Sequence, residues 1–177
     1  MRNRTFKTSG LAEENHVFFM KNLWDARKVR ARLLECFERA ANPVLAEAER
    51  HRLLTFVIVG GGPTSVEFAG ELSDFVMKDA KVWYPDLCQK VSIKLVEPSV
   101  ELLGPFSKEL RQYAFSSLIN SRIEILTGVS VKEIKVLESK ENADVRPAAV
   151  LSDGGVIPFG MMVWSTGVGA LDFVKQL

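Results

Sequence analysis

The sequence is poor in cysteine and histidine, nearly balanced in charge, and free of long apolar runs. Its two cysteines, Cys36 and Cys88, lie far apart and outside any C-x-x-C pair, so no disulfide framework, zinc site or dithiol redox centre is expected. His16 and His51 have no His, Cys or carboxylate at ligand spacing, which sets metal chemistry aside. Lys and Arg number 23 against 22 Asp and Glu, a formal net charge of +1. A nucleic-acid platform needs a cationic excess to neutralise phosphates and release counterions, and none is available. No apolar stretch approaches the ~18 residues that cross a bilayer. The amino-terminal MRNRTFKTSG leads into acidic residues rather than a signal-peptide core. What is present is 177 residues, 47% of them hydrophobic, enough Val, Ile, Leu and Phe to exclude disorder and to build one soluble domain.

The apolar pattern changes period along the chain. From Asn15 to about Ala41, Phe18, Phe19, Leu23, Ala26, Val29, Leu33, Phe37 and Ala40 recur at three- and four-residue intervals, which predicts a long amphipathic helix with a basic outer face. Pro43 ends it. At Leu53 the period gives way to LLTFVIV, a short β-branched run ending in glycine, the pattern of a buried parallel strand. Helical spacing returns through Val66, Phe68, Ala69, Leu72, Phe75 and Val76. A second strand follows at Val91 to Glu97, a helix from Ser107 to Ile119, and a third strand from Arg122 to Leu126. This β-α-β-α-β order predicts a Rossmann-like α/β fold, half of a doubly wound parallel sheet with helices on both faces. From Thr127 to Pro158 the strands alternate, with turn signals at Glu141-Asn142 and Asp153-Gly154-Gly155, predicting an antiparallel β-meander. A last buried strand spans about Met161 to Trp164. Residues 1–52 read as a leading helical segment and 53–177 as the nucleotide-binding domain.

Chemistry concentrates at three places. In Gly60-Gly61-Gly62-Pro63-Thr64-Ser65-Val66-Glu67 the glycines follow a strand and open a helix, so a pyrophosphate can approach the backbone and meet the helix amino terminus. Ser65 stands at the third fingerprint position. Glu97, at the carboxyl end of the second strand, can accept hydrogen bonds from an adenosine ribose and repel a 2′-phosphate, favouring NAD(H) over NADP(H). Its interval from the glycines exceeds the usual ~20 residues, an excess assigned to a helix end and bulging loop between Lys78 and Lys90. An exposed acid in a strand-end turn is the other reading of Glu97. The third place is Ser165-Thr166-Gly167, expected at the same carboxyl edge. Glu67 is expected in the first turn of its helix, where it either suits the helix dipole or lies near the nicotinamide.

Together these residues resemble the NADH-binding domain of type II (single-subunit, rotenone-insensitive) NADH:ubiquinone oxidoreductases. The resemblance is carried by EENHVFFMKNLWDARKVRARLLECFERAANP, LLTFVIVGGGPTSVEFAGELSDFV, the YPDL insertion typical of mitochondrial members, KLVEPSVELLGPFSKELRQYA and MVWSTGV. It implies a flavoprotein of the respiratory chain, peripheral on the mitochondrial inner membrane, that passes a hydride from NADH to FAD and electrons to ubiquinone without pumping protons. It also implies that the FAD domain and the carboxyl-terminal membrane anchor lie outside this chain, which alone is expected to be soluble and inactive. Carried over, Gly60, Gly62 and Thr64 line the pyrophosphate, with Gly61 and Pro63 in the same loop. Glu67 lies near the nicotinamide, Glu97 holds the ribose, and Ser165, Thr166 and Gly167 lie between nicotinamide and flavin. Ser65 departs from the family's glycine. No residue supplies acid-base or nucleophilic catalysis. In the family the leading helix packs near the domain junction, so Phe18, Phe19 and Leu23 are expected to be exposed and to promote self-association, which leaves a homodimer open. The alternatives are the NADH domain of another flavoprotein, apoptosis-inducing-factor-like or ferredoxin-reductase-like, and a non-catalytic NAD-binding module.

Overall fold

A computed structural model of the chain describes residues 7–8, 16–137 and 145–166. Five parallel strands form the central sheet in the order β2-β9-β3-β4-β5. They are β2 (Val17–Phe19), β3 (Thr55–Val59), β4 (Ser92–Glu97), β5 (Ile123–Thr127) and β9 (Met161–Trp164). The helices are α1 (Leu23–Ala40), α2 (Glu47–Leu53), α3 (Pro63–Asp74), α4 (Pro85–Cys88) and α5 (Lys108–Asn120). A second sheet runs β1-β6-β7-β8. In it β6 (Val131–Leu137), β7 (Arg146–Leu151) and β8 (Val156–Pro158) are antiparallel, and β1 (Lys7–Thr8) adds in parallel to β6. The parallel sheet and the meander are both as expected from the sequence; the turn expected at Glu141-Asn142 lies outside the described residues.

The expectation of helices on both faces is corrected. Alternate residues of β3 enter two separate cores: Phe56 and Ile58 join Leu33, Phe37, Leu72 and Val76 of the helical side, whereas Val57 and Val59 join Ile134, Ala149, Leu151 and Phe159 of the meander. Right-handed crossovers from β3 to β4 and from β4 to β5 advance in one direction and so place α3 and α5 on the same face. The chain then returns from β5 to β9 on the opposite side of β3, and the meander in that return covers the other face.

Two local expectations also change. The long helix begins at Leu23, not near Asn15. Asn22 accepts from the Asp25 amide at 3.1 Å while the Asp25 carboxylate accepts from the Asn22 amide at 3.3 Å, a capping box that sets the start. Val17–Phe19 before it is instead the edge strand paired with Met162–Trp164. Phe18 and Phe19 are half-buried there, and of the three side chains expected on an exposed helix only Leu23 is exposed. The helix end after α3 is extended as expected, but helix takes the place of the bulging loop: a π-type turn at Phe75–Ala80 and a helical turn at Lys81–Trp83 continue it to α4.

The amino ends of β3 and β9 meet at a buried crossing. The Gly160 amide donates to the Thr55 carbonyl at 2.9 Å. Arg32 Nε donates to the Gly160 carbonyl at 3.0 Å and Arg52 to the Phe159 carbonyl at 2.6 Å. Arg52 is itself paired with the buried Glu49 at 2.6 Å. Beside these guanidinium groups, burial and the charges of Arg32, Arg52 and Arg39, only partly opposed by Glu35, hold His16 at a pKa of about 4. His16 is therefore neutral in the folded chain at pH 5–6, where an unfolded histidine takes up a proton. Its contribution to stability is complete above about pH 6.5 and is lost as the pH falls towards 4, roughly 3 kcal/mol in all. The expected result is that stability declines from pH 6.5 to 5, before most carboxylates titrate. In His16→Asn the decline flattens; equal slopes by urea unfolding would show that His16 is not its source.

Both cysteines are buried. Burial raises the Cys36 thiol to about 11 and raises that of Cys88 as well. Since the thiolate is the reactive form, iodoacetamide at neutral pH is expected to label neither until the chain is unfolded; mass spectrometry of the native protein after alkylation checks this.

Candidate functional site

The carboxyl ends of β9, β3 and β4 lie side by side and bring three sequence-distant loops together. β3 leads into Gly60, whose amide donates to the Val96 carbonyl of β4 at 2.9 Å. Gly60 has φ +125°, a conformation open to glycine but costly for other residues. A Cβ there would lie 2.7 Å from Ser65 Oγ and 3.0 Å from Thr166 Cγ2, so the turn is closely packed from the β9 side. Gly62 is the N-cap of α3 and Pro63 its first residue, a position where proline forfeits no hydrogen bond. A Cβ on Gly62 would meet nothing within 4 Å. The loop is thus filled beneath Gly60 and open beside Gly62, where the first-turn amides and the helix dipole offer an anion site.

Glu97 closes the β4 side. Its Cγ lies 2.6 Å from where a Cβ on Gly61 would stand, so the carboxylate lies directly against the glycine loop. The Ser99 amide donates to its Oε1 at 2.8 Å, fixing the side chain at the strand end while leaving it half-buried. On the β9 side, the Ser165 amide donates to the Val59 carbonyl at 3.0 Å. Trp164 Nε1 donates to Thr166 Oγ1 at 2.5 Å. The site therefore assembles Gly60, Gly61, Gly62, Pro63, Thr64, Ser65, Glu97, Ser165 and Thr166. Gly167 lies outside the described residues. Glu67 is exposed at the fifth position of α3, past the first turn in which it was expected, because Pro63 rather than a later residue opens the helix.

Leu103 was not anticipated. Its amide donates to the Gly61 carbonyl at 2.7 Å, and its φ is +54°. The Leu102 and Leu103 side chains are both buried in the core of the helical side. A leucine in a left-handed conformation leaves no local mark, and only the contact reveals its part in fixing Gly61.

Comparison with known proteins identifies the family and its relatives. Residues 1–176 match the pyridine nucleotide-disulphide oxidoreductase family. The chain is 40% identical over 174 residues to a probable mitochondrial NADH-ubiquinone oxidoreductase of Schizosaccharomyces pombe, covering 98% of this chain and 31% of that protein. It is 38% identical over 180 residues to the external alternative NAD(P)H-ubiquinone oxidoreductase B3 of Arabidopsis thaliana, covering 99% of this chain and 30% of the relative. The fold superposes on the NDH2 of Plasmodium falciparum in complex with NADH with a TM-score of 0.78 at 23% identity, over 97% of this chain and 33% of that one. A ferredoxin reductase from Rhodopseudomonas palustris superposes with a TM-score of 0.61 at 19% identity, over 94% of this chain and 32% of that one. The chain spans about a third of the length of these proteins. The match over residues 1–176 places the chain in the pyridine nucleotide-disulphide oxidoreductase family, with type II NADH-ubiquinone oxidoreductases among its relatives.

Proposed function

We propose that this chain is the NADH-binding part of a flavin-dependent NADH:quinone oxidoreductase. The observation that carries the reading is the seating of Glu97 against Gly61, with the Ser165-Thr166 loop on the other flank of the same glycine turn. A dinucleotide laid across this edge places its pyrophosphate at the amino end of α3 and its adenosine ribose at Glu97. Its nicotinamide half then extends over β9. Hydride acceptance and onward electron transfer to quinone are chemistry that a flavin supplies when bound. The enzyme so proposed works at the mitochondrial inner membrane, and this chain spans about a third of the length of the mitochondrial relatives. This chain's own contribution is to bind and orient NADH, with Glu97 selecting the unphosphorylated ribose and Thr166 presented at the exposed edge. Among the described residues no helix is long and apolar enough to cross a membrane.

Titration of the chain with NADH, by calorimetry or saturation-transfer NMR, is expected to show binding, and the chain without added flavin is expected to reduce no quinone. Absence of any interaction at millimolar NADH overturns the proposal.

A further inference from the structure

One hydrogen bond crosses between the glycine turn and the β9 loop, and it begins at the residue that replaces the third fingerprint glycine. Ser65 Oγ lies 2.7 Å from Ser165 Oγ, a hundred residues away in sequence. Ser65 is fully buried. The Ser165 hydroxyl also lies 3.4 Å from the Val59 carbonyl, which already accepts from the Ser165 amide. A hydroxyl has one proton to donate. Val59 O can only accept, whereas in the 2.7 Å pair either hydroxyl can serve as the donor. The Ser65 hydroxyl also packs beneath Gly60, 2.7 Å from the position of a Cβ on that residue. A glycine at position 65 has no group with which to span this gap.

We propose that Ser65 is a positioning residue that acts through Ser165 to set where the β9 loop, with Thr166, meets the nicotinamide half of NADH. The proposal rests on the NADH reading above. The argument is one of placement. At the carboxyl edge the strands run β9-β3-β4, with the glycine turn on β3 and Glu97 on β4. Ser65 reaches from α3 towards β9 and makes no hydrogen bond on the β4 side among the described residues. Its hydroxyl therefore supports one half of an extended dinucleotide and not the other. Ser165 passes that support on, because it adjoins Thr166, whose hydroxyl is oriented by Trp164.

The test compares NADH with ADP-ribose, which has the same adenosine and pyrophosphate but no nicotinamide. In Ser65→Ala the affinity for NADH is expected to fall roughly five- to tenfold, the worth of one hydrogen bond, while that for ADP-ribose stays within about twofold. Ser165→Ala, which alters only the loop side, should give the same split and serves if Ser65→Ala does not fold. The double variant should lose no more than either single one, as expected of two residues acting through one contact. Parallel losses for both ligands, or unchanged NADH affinity, overturn the positioning role alone. A wild-type chain that binds neither ligand overturns the NADH reading and the positioning role with it.

Discussion

Replacing Gly160 by alanine should destabilise the chain by about 3 kcal/mol, as an overpacked substitution that has nowhere to relax. A Cβ at this position would stand 2.1 Å from the Leu53 carbonyl oxygen and 2.7 Å from the Leu53 carbonyl carbon. These are backbone atoms at the end of α2, and they are not free to yield. The Gly160 amide and carbonyl are engaged by Thr55 and Arg32, so a shift of the backbone to relieve the clash breaks buried hydrogen bonds as well. For a domain of this size the melting temperature is expected to fall by roughly 6–12 °C. Gly70 supplies the control. It lies inside α3 and a Cβ there meets nothing within 4 Å, so Gly70→Ala should stabilise by about 0.5–1 kcal/mol through helix propensity. Thermal unfolding of both variants decides the matter. A Gly160→Ala protein as stable as the wild type would mean that the crossing of β9 over Leu53 is not as close as described.

The second large effect concerns Glu97. In Glu97→Ala the affinity for NADH is expected to fall about 100-fold, because hydrogen bonds to a charged acceptor contribute roughly 1.5–3 kcal/mol each and the ribose offers two donors. Glu97→Gln should retain part of that affinity and bind NADPH roughly 10- to 100-fold better than the wild type does, since the amide no longer repels a 2′-phosphate. Titration of both variants with NADH and NADPH separates recognition from repulsion. If Glu97→Gln leaves the preference between the two nucleotides unchanged, the carboxylate is an ordinary strand-end acid and the selectivity resides elsewhere. The prediction bears on a distinction that the relatives' names leave open, since several are described as NAD(P)H-ubiquinone oxidoreductases.

Much of this architecture is legible in local pattern. The apolar run ending at Val59, the helical spacing that follows and the run ending at Glu97 each carry their own period. That period reports burial, because a strand covered on both faces, as Thr55–Val59 is, reads as a near-continuous apolar run. The Val17–Phe19 strand falls inside the apolar spacing that predicts the long helix. Phe19 stands four residues before Leu23, in helical register with it, and three residues are too few to display a period of their own. What ends the helix there is the Asn22–Asp25 capping box, a hydrogen-bonded motif that hydrophobic spacing does not detect.

By itself the sequence determined β3, β4, β5 and β9, the helices α3 and α5, the glycine turn that opens α3 and the acid at the end of β4. Those features depend on residues close in the chain, on backbone freedom at a turn, or on a periodic apolar face. The tertiary structure decided which face the helices cover, that Glu97 comes against Gly61, that Leu103 fixes the same turn, and that Ser65 meets Ser165 across a hundred residues. It also decided that Gly160 must be glycine, because the atom excluding a side chain belongs to Leu53, far away in sequence. The Ser65–Ser165 and Gly160–Leu53 contacts arise only when β9 slots between β2 and β3, and Glu97 and Leu103 reach Gly61 through the pairing of β3 with β4. No local propensity records them, since each residue is ordinary in its own segment and becomes constrained only by what the fold sets beside it.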